Sequence, residues 1–387
     1  MLEFQRRTGE HAKLEAWRCG LQESRRELRA ATHFNRTMIY YLVTARHSYT
    51  MECYLKTWGR ALNNRIQLMF YEELPGIQRL PFGTYIFSDL ERLSPVQLNV
   101  AGAVWEQLAQ VKPTPRVLNH PLRTLRRYEL LSMLYKLRKN SFRVTRASDL
   151  HTNYRFPVFI RDENEHGGSL TGLLSGQDEL SAAVEKLQEQ GRKRDEMLIV
   201  EFCDTSDASG IYRKYSAFII GKRIVPRHLI FSTKWVLKTA DLGTEAMLRE
   251  ERSYLEANPD EAWAREIFEL AKVEYGRIDY SLLDGRPQVW EVNTNPMVLM
   301  RPKDYERMHH PGQQLFANLI FPIFETINTQ REGHKDIPIS IPQQLTDELP
   351  GETWTRSVRR FGKHIRNKAW VQSNARILTR YWKTTTF

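Results

Sequence analysis

Three oxygen-bearing side chains lie close together in Arg277–Pro296, RIDYSLLDGRPQVWEVNTNP: Asp279, Glu291 and Asn293. Hard oxygen donors suit Mg²⁺, with Mn²⁺ as the alternative ion. Mg²⁺ takes one or two carboxylates and keeps room for water or phosphate oxygens. An ion held in that way serves chemistry on a nucleoside triphosphate. The stretch reads as a β-hairpin, because two β-branched and aromatic runs flank Asp284-Gly285-Arg286. Strand side chains alternate faces, so Glu291 and Asn293 share one. A plain two-residue turn at Asp284-Gly285 pairs Asp279 with Trp290 and sends Glu291 to the far side. A metal site therefore requires an odd loop or a bulge. With neither, the three residues form only an exposed polar face.

The upstream elements must position this hairpin. Val117-Leu118-Asn119-His120-Pro121 reads as a strand and an Asn-x-Pro turn. The helix predicted over Thr124–Leu137 has Leu125, Tyr128, Leu131 and Leu134 at helical spacing. Phe156–Arg161 is a strand ending in a cation, followed by the glycine-containing His166-Gly167-Gly168-Ser169. Such a loop is either a plain turn or a backbone cradle for anionic oxygens. An amphipathic helix is expected over Asp178–Gln190, with Leu180, Val184 and Leu187 on one face. Met197–Asp204 reads as a buried strand running into a polar hinge. Tyr212–Arg227 alternates as two strands about Gly221-Lys222-Arg223.

Glu291-Val292-Asn293-Thr294-Asn295-Pro296, with Asp279 twelve residues before Glu291, resembles the metal-binding end of the ATP-grasp superfamily. The upstream motifs occur in that family's order. The resemblance implies that Asp279, Glu291 and Asn293 hold Mg²⁺ against ATP phosphates. It places Arg161 where the family carries a phosphate-binding lysine. Arginine keeps the charge but not the geometry. For the family's other lysine, Arg126, Arg127, Lys136 and Lys139 are available, with Arg127 the first choice. His166, Gly167, Gly168 and Ser169 match the loop that closes over the phosphates. Backbone groups around Glu201, Phe202 and Cys203 match the adenine clamp. Asp204 or Asp207 is then the ribose acid, or else a turn cap. Arg213 and Arg227 are candidates for phosphate contacts, or solvated strand charges. Arg301, just after the Asn-Pro turn, would hold the incoming carboxylate or the oxyanion, with Arg277 as second choice.

The bulk properties agree. The chain has 387 residues, of which 41% are hydrophobic and 27% charged, as in an ordinary globular protein. It has no apolar run long enough for a membrane helix and no signal-peptide pattern. Cys19, Cys53 and Cys203 have no metal-ligand spacing, so free thiols in a reducing cytoplasm are expected. Met38–Thr44, Arg65–Tyr71 and Gly83–Asp89 read as strands, with a helix over Thr50–Leu62, giving a small parallel α/β unit. Arg46 and His47 follow the first strand's carboxyl end, where open α/β sheets place ligands. They either meet a second substrate or form a cap or surface pair. From Thr355 onward the chain has no acid, and nine of its residues are Lys or Arg, interleaved with Phe361, Trp370 and Trp382. Nucleic acid, an anionic surface, a helix dimer contact (hence a homodimer) or packing on the chain's own body are the outlets for such a segment.

The expected fold class is α/β and α+β: a Rossmann-like N-terminal lobe, then a two-subdomain ATP-grasp fold. The divisions are a charged helical extension (1–36), the Rossmann-like domain (37–115), a small subdomain with the glycine loop (116–195), a large subdomain with the hairpin (196–330) and a basic tail (331–387). The resemblance implies an ATP-dependent ligase that activates a carboxylate as an acyl phosphate and joins it to an amine, releasing ADP and phosphate. Its partners would be small-molecule or peptide carboxylates and amines. The alternatives are an ATP-binding protein without ligase activity, a small-molecule kinase, or a nucleic-acid or anionic-surface binder acting through the tail.

Overall fold

The computed structural model describes residues 38–150, 153–237, 241–327 and 335–347. The N-terminal extension and the basic stretch from Thr355 lie outside the described residues, and so do the readings made of them.

The first lobe supplies β1 (Ile39–Val43), β2 (Ile66–Phe70), β3 (Arg79–Leu80), β4 (Thr84–Phe87) and β5 (Val117–Leu118). Four of them make a parallel sheet in the order β2-β1-β4-β5. The IYYLV run of β1 is buried throughout, as a central parallel strand must be. Helix Pro95–Gln110 begins with a Ser94/Gln97 capping box and proline in its first turn. The helix expected over Thr50–Leu62 is Tyr49–Lys56, followed by a short 3-10 turn at Arg60–Leu62. Gly59 explains the stop. Its N–H bonds the Tyr54 carbonyl, and a Cβ there would lie 2.3 Å from the Tyr54 ring. The first sheet continues past the Lys112–Pro115 loop, because β5 adds to it. Near the other end of the chain, β13 (Ile337–Pro338) pairs with β3.

Two α+β subdomains follow. In the smaller one, β6 (Val144–Arg146), β7 (Val158–Asp162) and β8 (Met197–Glu201) form an antiparallel sheet in the order β6-β8-β7. Helix Gln177–Glu189 buries Leu180, Val184 and Leu187. Helix Arg127–Lys136 starts later than the spacing predicts, because Arg126 is its cap and Glu129 accepts the Arg126 N–H. The larger subdomain has β9 (Tyr212–Ile220), β10 (Arg223–Ser232), β11 (Tyr275–Leu283) and β12 (Arg286–Asn293), all antiparallel, in the order β10-β9-β11-β12. The chain is thus α/β in its first lobe and α+β after it, a Rossmann-like lobe followed by two subdomains. No helix among the described residues is long and apolar enough to cross a membrane.

One core cluster joins the first lobe to the larger subdomain: Ile39 and Tyr41 pack with Phe218, Tyr275, Phe316 and Ile320. Asn119 closes the same junction. It takes a left-handed conformation at φ 63. Its amide group donates to the carbonyls of Phe87 (3.0 Å) and Tyr275 (2.7 Å) and accepts from the N–H groups of Glu274 (2.7 Å) and Tyr275 (2.9 Å). Asn119→Ala strands those buried partners and keeps the unfavourable φ. It should lower unfolding free energy by about 2–4 kcal/mol in a denaturant titration.

Candidate nucleotide and metal site

The hairpin resolves the register question with a bulge. Its turn is the two-residue Asp284-Gly285, both with positive φ (49 and 74), as a tight hairpin with native twist requires. Leu283 faces Arg286 and Tyr280 faces Val289, but then Asp279 faces Glu291 and Trp290 is left unopposed. The extra residue is anchored sideways: the Trp290 ring stacks on Phe142 at 5.1 Å and its Nε1 donates to Ser281 Oγ at 2.9 Å. Past the bulge, Arg277 faces Asn293. Alternation therefore places Arg277, Asp279, Glu291 and Asn293 on one face. The neighbouring strand β9 adds Ser216 opposite Asp279, and Lys214, two residues along, shares that face.

Cations surround the two carboxylates. Glu291 accepts from Arg127 Nη2 at 2.6 Å and Arg161 Nη2 at 2.7 Å, with His166 Nδ1 at 3.5 Å. Asp279 accepts from Arg277 Nε at 2.7 Å and Nη2 at 3.0 Å, and Lys214 Nζ stands 3.7 Å away. Burial by itself would push the Glu291 carboxyl up. Arg127, His166 and Arg161 outweigh it and hold the group well below the usual carboxylate range. Burial, reinforced by the Arg127 charge, brings the Arg161 guanidinium down to about 10. Burial also lowers the Lys214 ammonium, with Asp279 opposing. Positive charge exceeds negative charge here, and the Nε atoms of both Arg127 and Arg161 are buried without a partner. Such unused donors fit the oxygens of a polyphosphate.

The donor set also fits a hard cation. Among the described residues no group of three His, Cys, Asp or Glu side chains could hold a metal. The third ligand would therefore be the Asn293 amide oxygen, which now accepts the Asn295 N–H at 2.8 Å. Two carboxylates and an amide oxygen match Mg²⁺ chemistry. Phosphates would supply the anions that the arginines now find in Glu291 and Asp279.

The glycine loop lies against this cluster. Arg127 Nη1 donates to the carbonyls of Asp162 (2.7 Å), Glu163 (2.6 Å) and Glu165 (3.0 Å), fixing the chain that enters the loop. His166 Nε2 pairs with Glu91 Oε1 at 3.0 Å. Gly168 has φ 93, Gly167 has open space where a side chain would stand, and Ser169 bridges back to Arg161. At the hinge, the Glu201 carboxylate accepts from Arg143 and the Arg155 N–H. The N–H groups of Glu201 and Phe202 bond Arg143 and Pro157 carbonyls. Those two amides are committed to the sheet, which leaves carbonyls and the Cys203 N–H for a base edge. Burial pushes the Cys203 thiol up to about 11. Trp235 packs on Phe159 at 4.9 Å and on Phe202 at 5.7 Å, lining the hinge with rings.

Other expected residues are engaged elsewhere. Asp204 bonds Ser206, and Asp207 bonds the Ser209 and Ile211 amides and Arg213, so both close turns. Arg213 lies one residue from Lys214, hence on the opposite face of β9, and its second partner is Glu250. Arg227 is the bulge residue between Pro226 and His228, and it is buried against the Val298 carbonyl, Gln313 and Tyr305. Arg301 pairs with Asp304 at 2.6 Å, so of the two oxyanion candidates only Arg277 sits in the cluster. Reading the sequence missed Lys214, whose signal is its even spacing from Ser216. It also missed Trp235 and Glu91, which only the fold brings in.

Glu91 makes an acid-dependence test. Burial would raise its carboxyl, but the hydrogen bond and charge of His166, with Arg92 and Thr294, bring it from 4.5 down to about 2. A depressed folded-state value contributes stability that is fully present above pH about 4.5 and is lost as pH falls toward 2, on the order of 3 kcal/mol. Glu91→Gln should remove that part of the acid transition, followed by circular dichroism between pH 6 and about 2.

No family model and no curated protein matches this sequence. Several solved structures are similar to it. The D-alanine–D-alanine ligase from Bacillus anthracis is 15% identical, over 75% of this chain and 97% of that one, with a TM-score of 0.44. The D-alanine–D-alanine ligase from Helicobacter pylori is 14% identical, over 81% and 100%, with a TM-score of 0.41. The L-amino acid ligase from Bacillus licheniformis is 14% identical, over 67% of each chain, with a TM-score of 0.38.

Proposed function

We propose that this chain is an ATP-dependent carboxylate–amine ligase. The observation that carries the reading is the cluster of Arg127, Arg161, Arg277 and Lys214 around Asp279 and Glu291, with buried guanidinium donors left over. Such a cluster is costly to desolvate unless an anion completes it. A triphosphate is the anion whose size, charge and need for a hard cation match all of these groups.

Asp279, Glu291 and Asn293 would hold Mg²⁺. When bound, the ion would supply positive charge that offsets the charge developing at the γ-phosphoryl group. Arg161, Arg127 and Lys214 bind and orient the phosphates. The loop from His166 to Ser169 covers them and excludes water. The hinge around Glu201–Cys203, with Phe202 and Trp235, takes the base. Arg277, fixed by Asp279, is placed to neutralise the oxyanion that forms when an amine attacks an acyl phosphate. The substrates are a carboxylate that accepts the γ-phosphoryl group and an amine that displaces phosphate.

ADP and phosphate release should require Mg²⁺ and both a carboxylate and an amine, and should stop on chelation with EDTA. Glu291→Ala should abolish turnover. Lys214→Met should weaken ATP binding about tenfold or more by calorimetry, the loss of one charge-assisted contact. If ATP binds but no pair of amino acids or peptides elicits ADP release, the ligase reading is wrong.

A further inference from the structure

Thr44, His47 and Asp89 form a hydrogen-bonded chain that the nucleotide site does not use. They lie just past the carboxyl ends of β1 and β4, which are neighbours in the parallel sheet. Ligands of open α/β sheets bind at such ends. Asp89 is fully buried, with backbone φ 58. Its carboxylate accepts from the Thr44 N–H at 3.3 Å, from the Thr44 hydroxyl and from Arg92 Nη1. Having donated to Asp89, the Thr44 hydroxyl can only accept from His47 Nδ1, 2.8 Å away. Nδ1 therefore carries a hydrogen, and in the neutral ring the lone pair is on Nε2. No described residue hydrogen-bonds Nε2, and the side chain is 14% exposed.

This chain abuts the metal end of the hairpin. The His47 carbonyl accepts from Asn295 Nδ2 at 3.3 Å, and the Asn295 N–H bonds Asn293 Oδ1. Glu91, two residues after Asp89, accepts from the Thr294 N–H at 3.2 Å and pairs with His166 of the glycine loop. An imidazole whose Nδ1 is fixed as a donor thus stands at the seam where the first lobe meets the phosphate end of the site. The charged and titratable groups about it are Asp89, Arg92 and Glu91 from the segment after β4, Glu72 at the Ala45 N–H, and Arg46 and Tyr49 on its own segment.

We propose that His47 Nε2 is the base that deprotonates the acceptor ammonium, with Thr44 and Asp89 as positioning residues that fix its tautomer. The proposal rests on the ligase reading. His47 takes one proton from R–NH3⁺ and becomes imidazolium. The amine lone pair forms the N–C bond at the acyl-phosphate carbonyl, and the C–O bond to phosphate breaks with its electron pair. The second nitrogen proton leaves with the phosphate.

The test uses the full chain, Mg²⁺-ATP and amino acids supplied pairwise as donor and acceptor, with hydroxylamine as a second acceptor. Hydroxylamine is largely unprotonated near neutral pH and needs no base to become a nucleophile. With His47→Asn, amide formation should fall about 100-fold or more, while hydroxamate formation from the same donor stays within about threefold. Thr44→Val should show the same selective loss in smaller degree. Nitrogen-15 spectra of the histidines should show the Nδ1–H tautomer at His47, a readout independent of substrates. An equal fall in amide and hydroxamate, an unchanged amide rate, or an Nε2–H tautomer overturns the proposal. If the unaltered chain binds ATP but yields neither product from any donor, the ligase reading fails and this role fails with it.

Discussion

A half-buried carboxylate held between two guanidinium groups governs the architecture of the site. Glu291 comes from the hairpin, Arg127 from the first turn of a helix, and Arg161 from the end of β7 in the smaller subdomain. Taking these charges out of water is expensive, and their mutual attraction repays it only in good geometry. The geometry depends on elements far apart in sequence reaching one point. Arg127 uses its other terminal nitrogen to bind three carbonyls, of Asp162, Glu163 and Glu165, in the chain entering the glycine loop. The same guanidinium thus neutralises a proposed metal ligand and shapes the loop that would cover the metal.

Much of this was legible in the residues, for identifiable reasons. The hairpin, the Arg161 strand and the amphipathic helix over Gln177–Glu189 are local patterns of alternation and spacing, and local patterns survive folding. The need for a bulge or odd loop followed from parity alone, since period-two side chains leave no other way to face Asp279 toward Glu291. Which of the two occurs did not follow. The decision belongs to Trp290, whose ring finds Phe142 and whose indole finds Ser281, contacts that cross elements. Parity would also have favoured Lys214 over Arg213, but only with the pairing of β9 to β11 in hand. Closeness to the Asn-Pro turn makes Arg301 a candidate for the oxyanion. A carboxylate three residues later, Asp304, claims it.

The Thr44–His47–Asp89 chain shows the opposite case. Its members come from two strand ends separated by some forty residues, and neither segment carries a motif. Only the parallel pairing of β1 with β4 makes them neighbours. Sequence placed His47 at a strand's carboxyl end but could not supply the acid that sets its tautomer. Where a residue's chemistry depends on the direction of a single hydrogen, the deciding information is in the partner and not in the residue.

The Asn119 junction fixes the first lobe to the larger subdomain. With its side chain bonded to Phe87 on one sheet and to Glu274 and Tyr275 on the other, and with Tyr41, Phe218 and Phe316 packed around the same seam, the first lobe and the larger subdomain behave mechanically as one block. The three-stranded sheet of β6, β7 and β8 has its own apolar core against helix Gln177–Glu189. Its other face shares an apolar core with the larger subdomain, where Phe142, Phe159 and Leu198 pack with Ile219, Phe268 and Val289, and only near the phosphates are the ties ionic, through Arg127, Arg161 and Glu291. Ionic ties can be exchanged for a ligand's charges at little cost in packing, whereas an apolar seam cannot. The charges at the phosphate end can therefore be re-paired with a ligand while the apolar seams that hold all three parts together stay closed.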